Sequence, residues 1–134
     1  MLSKIDTASD LAAPVKALGK GVIKNAPTLA IGVREHLYDF AKKIGGITWK
    51  DLTRQNPGRE WRDLVSEVIH DPTKRVAVNL DGIDNAYEAA RKGVTAVPDM
   101  TLTDWELGQI YSNKEIWGSI DFYSGGKQVP NPWK

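Results

Sequence analysis

Apolar and polar positions alternate with two different periods along this chain. Trp61, Leu64, Val65, Val68 and Ile69 recur at the i, i+3, i+4, i+7, i+8 spacing of one buried helical stripe. Asn56-Pro57 reads as the cap and first position of that helix, and His70-Asp71-Pro72 ends it, because the residue before a proline is pushed out of the helical region. The period then changes to two. Over Arg75–Gly82, Val76, Val78 and Leu80 share one face and Arg75, Ala77, Asn79 and Asp81 the other, which predicts a strand that buries one side and presents an Asn and an Asp on the opposite one. Residues Asp84 to Lys92 read as a short helix closed by Gly93. Thr103 and Glu106 have the spacing of a capping box, with Leu102 placed to staple against Leu107, so a further helix starts there. Ser119 to Ser124 alternates again, Gly125-Gly126 supplies the left-handed residues of a two-residue turn, and Lys127 to Val129 returns as a hairpin. That register sets Phe122 against Val129 and Tyr123 against Gln128, and Pro130 and Pro132 place the last strand at an edge.

The first third is patterned more weakly. Leu11 to Ile31 reads as amphipathic helix broken near Pro14, Gly19, Gly21 and Pro27, and a firmer helix is expected from about Thr28 to Lys43, with Ile31, Leu37, Tyr38 and Phe40 available to pack. Lys42 and Lys43 suit the negative end of its dipole. Gly45-Gly46 marks the best boundary, giving a helical connector segment over residues 1–45 and a compact unit over 46–134. The element order makes the fold α+β.

At 134 residues with 41% apolar side chains, one folded domain is the expectation. The seven basic residues Lys4, Lys16, Lys20, Lys24, Arg34, Lys42 and Lys43 outnumber four acidic ones before residue 46, whereas the rest of the chain is slightly acidic. A net charge of +1 argues against a protein that holds nucleic acid by bulk electrostatics. No apolar run approaches the ~18 residues of a membrane span, so stable membrane insertion is not expected. Residues 1–10 do not read as a signal peptide, since Lys4, Asp6 and Asp10 interrupt any apolar core.

The chain contains no cysteine, which removes thiol nucleophiles and Cys-ligated zinc. His36 and His70 lie far apart in sequence, and no metal or other cofactor is expected, although Asp81, Asp104 and Glu106 could converge on magnesium. The glycine pairs around Lys20 and Lys127 lack the spacing of phosphate-binding loops, and no Ser stands in a nucleophile elbow. His70 could act as a base, but its place in the last turn of a helix accounts for it as a dipole partner. The polar residues of the second half say more. Asp81 ends a strand, Thr103, Asp104 and Glu106 open a helix, Tyr123 lies on the polar face of the hairpin, and Lys127 is its nearest cation. Strand ends and helix starts are where an α+β domain gathers side chains into a cleft, so this set could provide acid, base and charge-stabilising donors together. Each member also has a local role open to it, in capping, turn formation or solvation.

Three stretches, Arg75–Ile83, Thr103–Ile110 and Ile120–Pro132, resemble in order and spacing the C-terminal effector domains of bacterial polymorphic toxins, the modules at the ends of contact-dependent growth-inhibition exoproteins. The resemblance covers roughly residues 47–134. It implies N-terminal helices packed on a small, mainly antiparallel β-sheet, and a separate preceding segment that carries the toxin into its target cell. It implies an interbacterial toxin with ribonuclease activity that cleaves tRNA by metal-independent acid–base chemistry. In that scheme Asp81, Asp104 and Glu106 are acid–base candidates, Thr103 and Tyr123 donors, and Lys127 the phosphate contact. A cognate immunity protein and a tRNA substrate are the implied partners, with room for a host-cell co-activator. The chain would then be exported as the C-terminal part of a larger exoprotein and act in the cytoplasm of the target bacterium. Two alternatives stay open: a metal-dependent nuclease toxin using the same carboxylates, and a non-enzymatic immunity or adaptor module that binds through Trp105, Trp117, Trp133 and Tyr123.

Overall fold

Leu29-Ala30-Ile31 has no polar position, and the computed structural model shows why: the segment is a strand buried on both faces, between a parallel neighbour and the backbone of Ile47. The structure describes residues 27–134, and of the preceding segment only the two-residue antiparallel pair β1 (Val15–Lys16) and β2 (Lys20–Gly21). From there the order is β3 (Leu29–Ile31), α1 (Arg34–Ile44), α2 (Trp49–Gln55), α3 (Trp61–His70), β4 (Val76–Asn79), α4 (Ala86–Thr95), α5 (Leu102–Tyr111), a 3-10 helix (Lys114–Ser119), β5 (Ile120–Ser124) and β6 (Lys127–Val129). The fold is mixed α/β. Its four-stranded sheet has the order β3-β4-β5-β6, with the first two pairs parallel and only the final hairpin antiparallel. The expectation of a mainly antiparallel sheet is therefore corrected, because helices intervene between β3, β4 and β5 and return the chain in the same direction each time.

Alternation along the paired strands sorts the side chains into two layers. Leu29, Ile31, Val76, Val78, Ile120 and Phe122 form one apolar face, which packs against Val65 and Ile69 of α3, Ala90 of α4, and Leu107 and Ile110 of α5. The other face carries the small Ala30 and Ala77, against which Leu37, Phe40 and Ala41 of α1 lie. Helices thus cover both sides of the sheet. All four residues of β4 are buried, including Asn79, so this strand is not the half-exposed one its alternation predicts.

Several local expectations change for the same reason, that tertiary packing selects among competing local signals. Helix α1 starts at Arg34 instead of Thr28, since residues 29–31 are claimed by the sheet. The expected helix over Leu11 to Ile31 lies mostly outside the described residues, and its last three positions are β3. Gly45 adopts φ +68 and closes α1, and the residues on either side of Gly45-Gly46 share one sheet and core, with Ala30 N–H donating to Ile47 O at 2.8 Å. Asn56 ends α2 and does not start α3, which is capped by Glu60. The stripe on α3 appears as expected, with Leu64, Val65 and Ile69 buried.

Gly93 lies inside α4. A Cβ there would sit 2.0 Å from Asp104 O, so Gly93 and Gly108 let α4 and α5 touch backbone to backbone. Gly125 and Gly126 both have positive φ, and the hairpin pairs Phe122 with Val129 and Tyr123 with Gln128. After it the chain folds back. Trp133 packs edge-on against Tyr111 and Phe122 at 5.3 and 5.4 Å, and Trp105 packs on Trp61 at 5.7 Å. Trp105, Trp117, Tyr123 and Trp133, the aromatic residues of the adaptor alternative, are each half-buried and packed in part against the core. Among the described residues no helix is long and apolar enough to cross a membrane.

Candidate functional site

Parallel strands direct their C-terminal ends to the same edge of a sheet, and the loops leaving that edge have to diverge around a crevice. Here β3 runs out into Gly32-Val33, β4 into residues 80–85, and β5 into the hairpin turn. Two adjoining clefts open between these loops, with Glu35 lining both.

The larger has a volume of about 880 Å³. The first turns of three helices line it: Arg34 and Glu35 of α1, Asn85 and Glu88 at the start of α4, and Thr101 to Asp104 at the start of α5. Asn85 Oδ1 accepts from Glu88 N–H and Thr101 Oγ1 from Asp104 N–H, both at 3.0 Å, so α4 and α5 are capped by side chains. Val33 gives α1 no such cap. Its aromatic wall is Tyr38 and Trp49, with Lys50 Nζ 5.3 Å and 5.8 Å from the two ring centroids.

The smaller cleft, about 180 Å³, is almost wholly polar: Glu35, His36, Asp39, Lys43, Asn79 and Asp81 line it beside Phe40 and Gly126. A Cβ built at Gly82 would lie 3.4 Å from His36 Nε2, which sets the imidazole beside the turn that carries Asp81. Asp81 Oδ1 accepts from Gly125 N–H at 2.9 Å and so ties that turn to the hairpin. Across the cleft, Lys43 Nζ would be 3.7 Å from a Cβ at Gly126. Asn79 is only 4% exposed, and its Oδ1 accepts from Asp81 N–H at 3.0 Å, which fixes the side chain at the mouth of the turn that carries Asp81.

The six residues expected to share one pocket are divided. Thr103 and Asp104 line the large cleft and Asp81 the small one. Thr103 donates from Oγ1 to Gly32 O at 3.0 Å, and Asp104 accepts from Thr101 N–H at 3.1 Å, so the capping box is Thr101 with Asp104 and not Thr103 with Glu106. Glu106 lines neither cleft. It is 3% exposed in the body of α5, and burial pushes its carboxyl up to about 8. Tyr123 stands on the α1 side of the sheet, edge-on to Phe40 at 5.2 Å, and Lys127 is exposed on β6. His70 is held at the end of α3, with Nδ1 2.8 Å from Ser66 O and Nε2 3.0 Å from Asn113 Nδ2.

The residues missed from the sequence are His36, Asp39 and Lys43, three positions on consecutive turns of one face of α1, together with Asn79 at the end of β4. Their i, i+3, i+7 spacing was available as a signal, but it marks a solvated helix face just as well. In comparisons with known proteins, the chain matches no family model, no curated relative and no solved structure.

Proposed function

We propose that this protein is a ribonuclease effector of the interbacterial toxin type, with tRNA as its substrate and the small cleft as its catalytic centre. One observation carries the reading: an imidazole, a carboxylate, an ammonium and a side-chain amide, from His36, Asp81, Lys43 and Asn79, line one cleft at the C-terminal edge of the sheet. Cleavage of RNA through its own ribose needs these groups. The 2′-hydroxyl loses a proton to a base as its oxygen bonds to phosphorus, the bond from phosphorus to the 5′-oxygen breaks, and an acid returns a proton to that oxygen. The products are a 2′,3′-cyclic phosphate and a 5′-hydroxyl. An imidazole can take or give a proton near neutrality, so His36 and Asp81 divide the two transfers. Lys43 and the Asn79 amide donate to the phosphoryl oxygens as negative charge builds on them. Asp81 is also held in place by the hairpin, which preorganises it. In this reading the chain is exported at the end of a larger exoprotein, acts in the cytoplasm of its target, and is neutralised by an immunity protein that covers the two clefts.

The test is direct. Purified protein should degrade tRNA with or without EDTA, and expression in a bacterium without the immunity protein should arrest growth. His36→Ala should lower the cleavage rate by about 10² to 10⁴ with an unchanged unfolding midpoint, because His36 is exposed. Intact tRNA at high enzyme concentration in both arms overturns the ribonuclease reading, and cleavage only without EDTA replaces it with a metal-dependent one.

A further inference from the structure

The large cleft is much bigger than proton transfer at one phosphodiester requires, and its lining differs in kind from that of the small one. At about 880 Å³ it falls in the range of small-ligand sites, roughly 300 to 1,000 Å³. It combines three features. Tyr38, 40% exposed, and Trp49 offer ring faces. Arg34 stands at the first turn of α1, which has no side-chain cap. Asp84 and Glu35 supply carboxylate acceptors, whereas Asp104 and Glu88 are engaged by Thr101 N–H and by Arg91. A ligand matching all three carries an anion, a flat aromatic system and a donor amine. A nucleotide with an amino-bearing base has that composition.

Resting on the proposed ribonuclease reading, we infer that the large cleft is a subsite for one unstacked nucleotide whose base carries an exocyclic amine, next to the bond that is cut. The base stacks on the Tyr38 side, its amino group donates to Asp84, and its phosphate meets Arg34 and the first N–H groups of α1, ahead of His36, whose N–H donates to Val33 O at 2.9 Å. A base still paired in a duplex has its amine occupied and its faces covered, so the substrate must be single-stranded or a loop. Glu35 lines both clefts, which makes the nucleotide in the large cleft an immediate neighbour of the scissile one.

Titration calorimetry of the wild-type chain with CMP, UMP and ribose 5-phosphate tests the subsite without any cleavage. CMP should bind saturably and about tenfold more tightly than UMP, whose carbonyl would face the carboxylates, and ribose 5-phosphate should bind more weakly than either. Tyr38→Ala should weaken CMP by about ten- to hundredfold, the worth of one base on one aromatic face. Asp84→Asn, a conservative change at an exposed position, should remove the preference for CMP over UMP. Cleavage of a labelled single strand should exceed that of the same sequence in a blunt duplex by at least tenfold. Ribose 5-phosphate binding as tightly as CMP, or CMP affinity unmoved by Tyr38→Ala, overturns the subsite. CMP binding as described with tRNA left intact keeps the subsite and removes the ribonuclease reading; tRNA cleavage with no nucleotide binding does the reverse.

Discussion

Glu106 is the side chain whose surroundings are most at odds with its charge. It sits in the buried face of α5 beside Leu107 and Ile110, with no hydrogen-bond partner among the described residues, and burial raises its carboxyl from the ordinary 4.5 to about 8. Folding therefore favours the protonated acid. Between these two values the folded chain keeps a proton that the unfolded chain has released, so stability falls as pH rises through that window and levels off above it. The slope is about 1.4 kcal/mol per pH unit where the difference is one full proton. Glu106→Gln keeps the shape and removes the titration. Urea unfolding should show the wild type losing stability from about pH 5 to pH 8 while the Gln variant stays nearly flat and is the more stable at the upper end. Equal slopes for the two proteins would place the titrating group elsewhere. Glu106 also lines neither cleft, so in the proposed ribonuclease reading it acts through stability and not at the small cleft.

At the scale of elements, the contact between α4 and α5 is set by two residues without side chains. A Cβ at Gly93 would meet Asp104 C=O at 2.0 and 2.8 Å, and one at Gly108 would meet the Gly93–Val94 backbone at 2.7 Å. Both obstacles are main chain and cannot rotate away. Gly93→Ala or Gly108→Ala should destabilise by about 1 to 3 kcal/mol or more, despite the higher helix propensity of alanine, because the helices must part. The starts of α4 and α5 line the large cleft, so the same variants should weaken CMP binding. Elements with one strong local signal were legible in the sequence: the apolar stripe of α3, and the hairpin with its two left-handed glycines. Others were not. β3 is three residues long and apolar on both faces, so its residues pass as the start of a helix. α2 buries none of its residues and leaves no stripe to read. The start of α5 was read two residues late because Thr103-x-x-Glu106 and Thr101-x-x-Asp104 both satisfy a capping pattern, and Gly32 O, 71 residues away, decides between them by engaging Thr103. The cleft was the least legible of all. His36 and Asp81 are brought together by parallel pairing of β3 with β4, a contact that no local pattern announces.

Over the whole molecule, charge is nearly balanced, 18 basic side chains against 17 acidic ones, and much of it is spent internally. Arg59 pairs with Glu67, Arg91 with Glu88, Arg54 with Asp51, and Arg75 holds both oxygens of Asp121 at 2.7 Å across β4 and β5. The Arg59–Glu67 and Arg91–Glu88 pairs raise their guanidinium pKa values and lower those of the carboxylates, but they are exposed, and of the four side chains Glu88 alone lines a cleft, the larger one. A protein built this way has little surplus field with which to draw in a polyanion. If it binds RNA, it does so by local fit in the two clefts, with Lys43 and Arg34 as the phosphate contacts. Each phosphate neutralised on a single strand contributes about 0.7 to the logarithmic salt slope, so two contacts predict a loss of about sevenfold in affinity from ~50 to ~200 mM salt. A typical basic nucleic-acid binder with six or more contacts loses about a thousandfold or more over that range. Fluorescence anisotropy with a labelled, 2′-O-methylated single strand, which cannot be cut through the ribose, measures the slope directly. A shallow slope that becomes shallower in Lys43→Ala supports recognition inside the clefts. A steep one would mean that the RNA is held along an extended surface, and the basic residues outside the clefts, Arg62 and Lys74 first among them, would then be the ones to change.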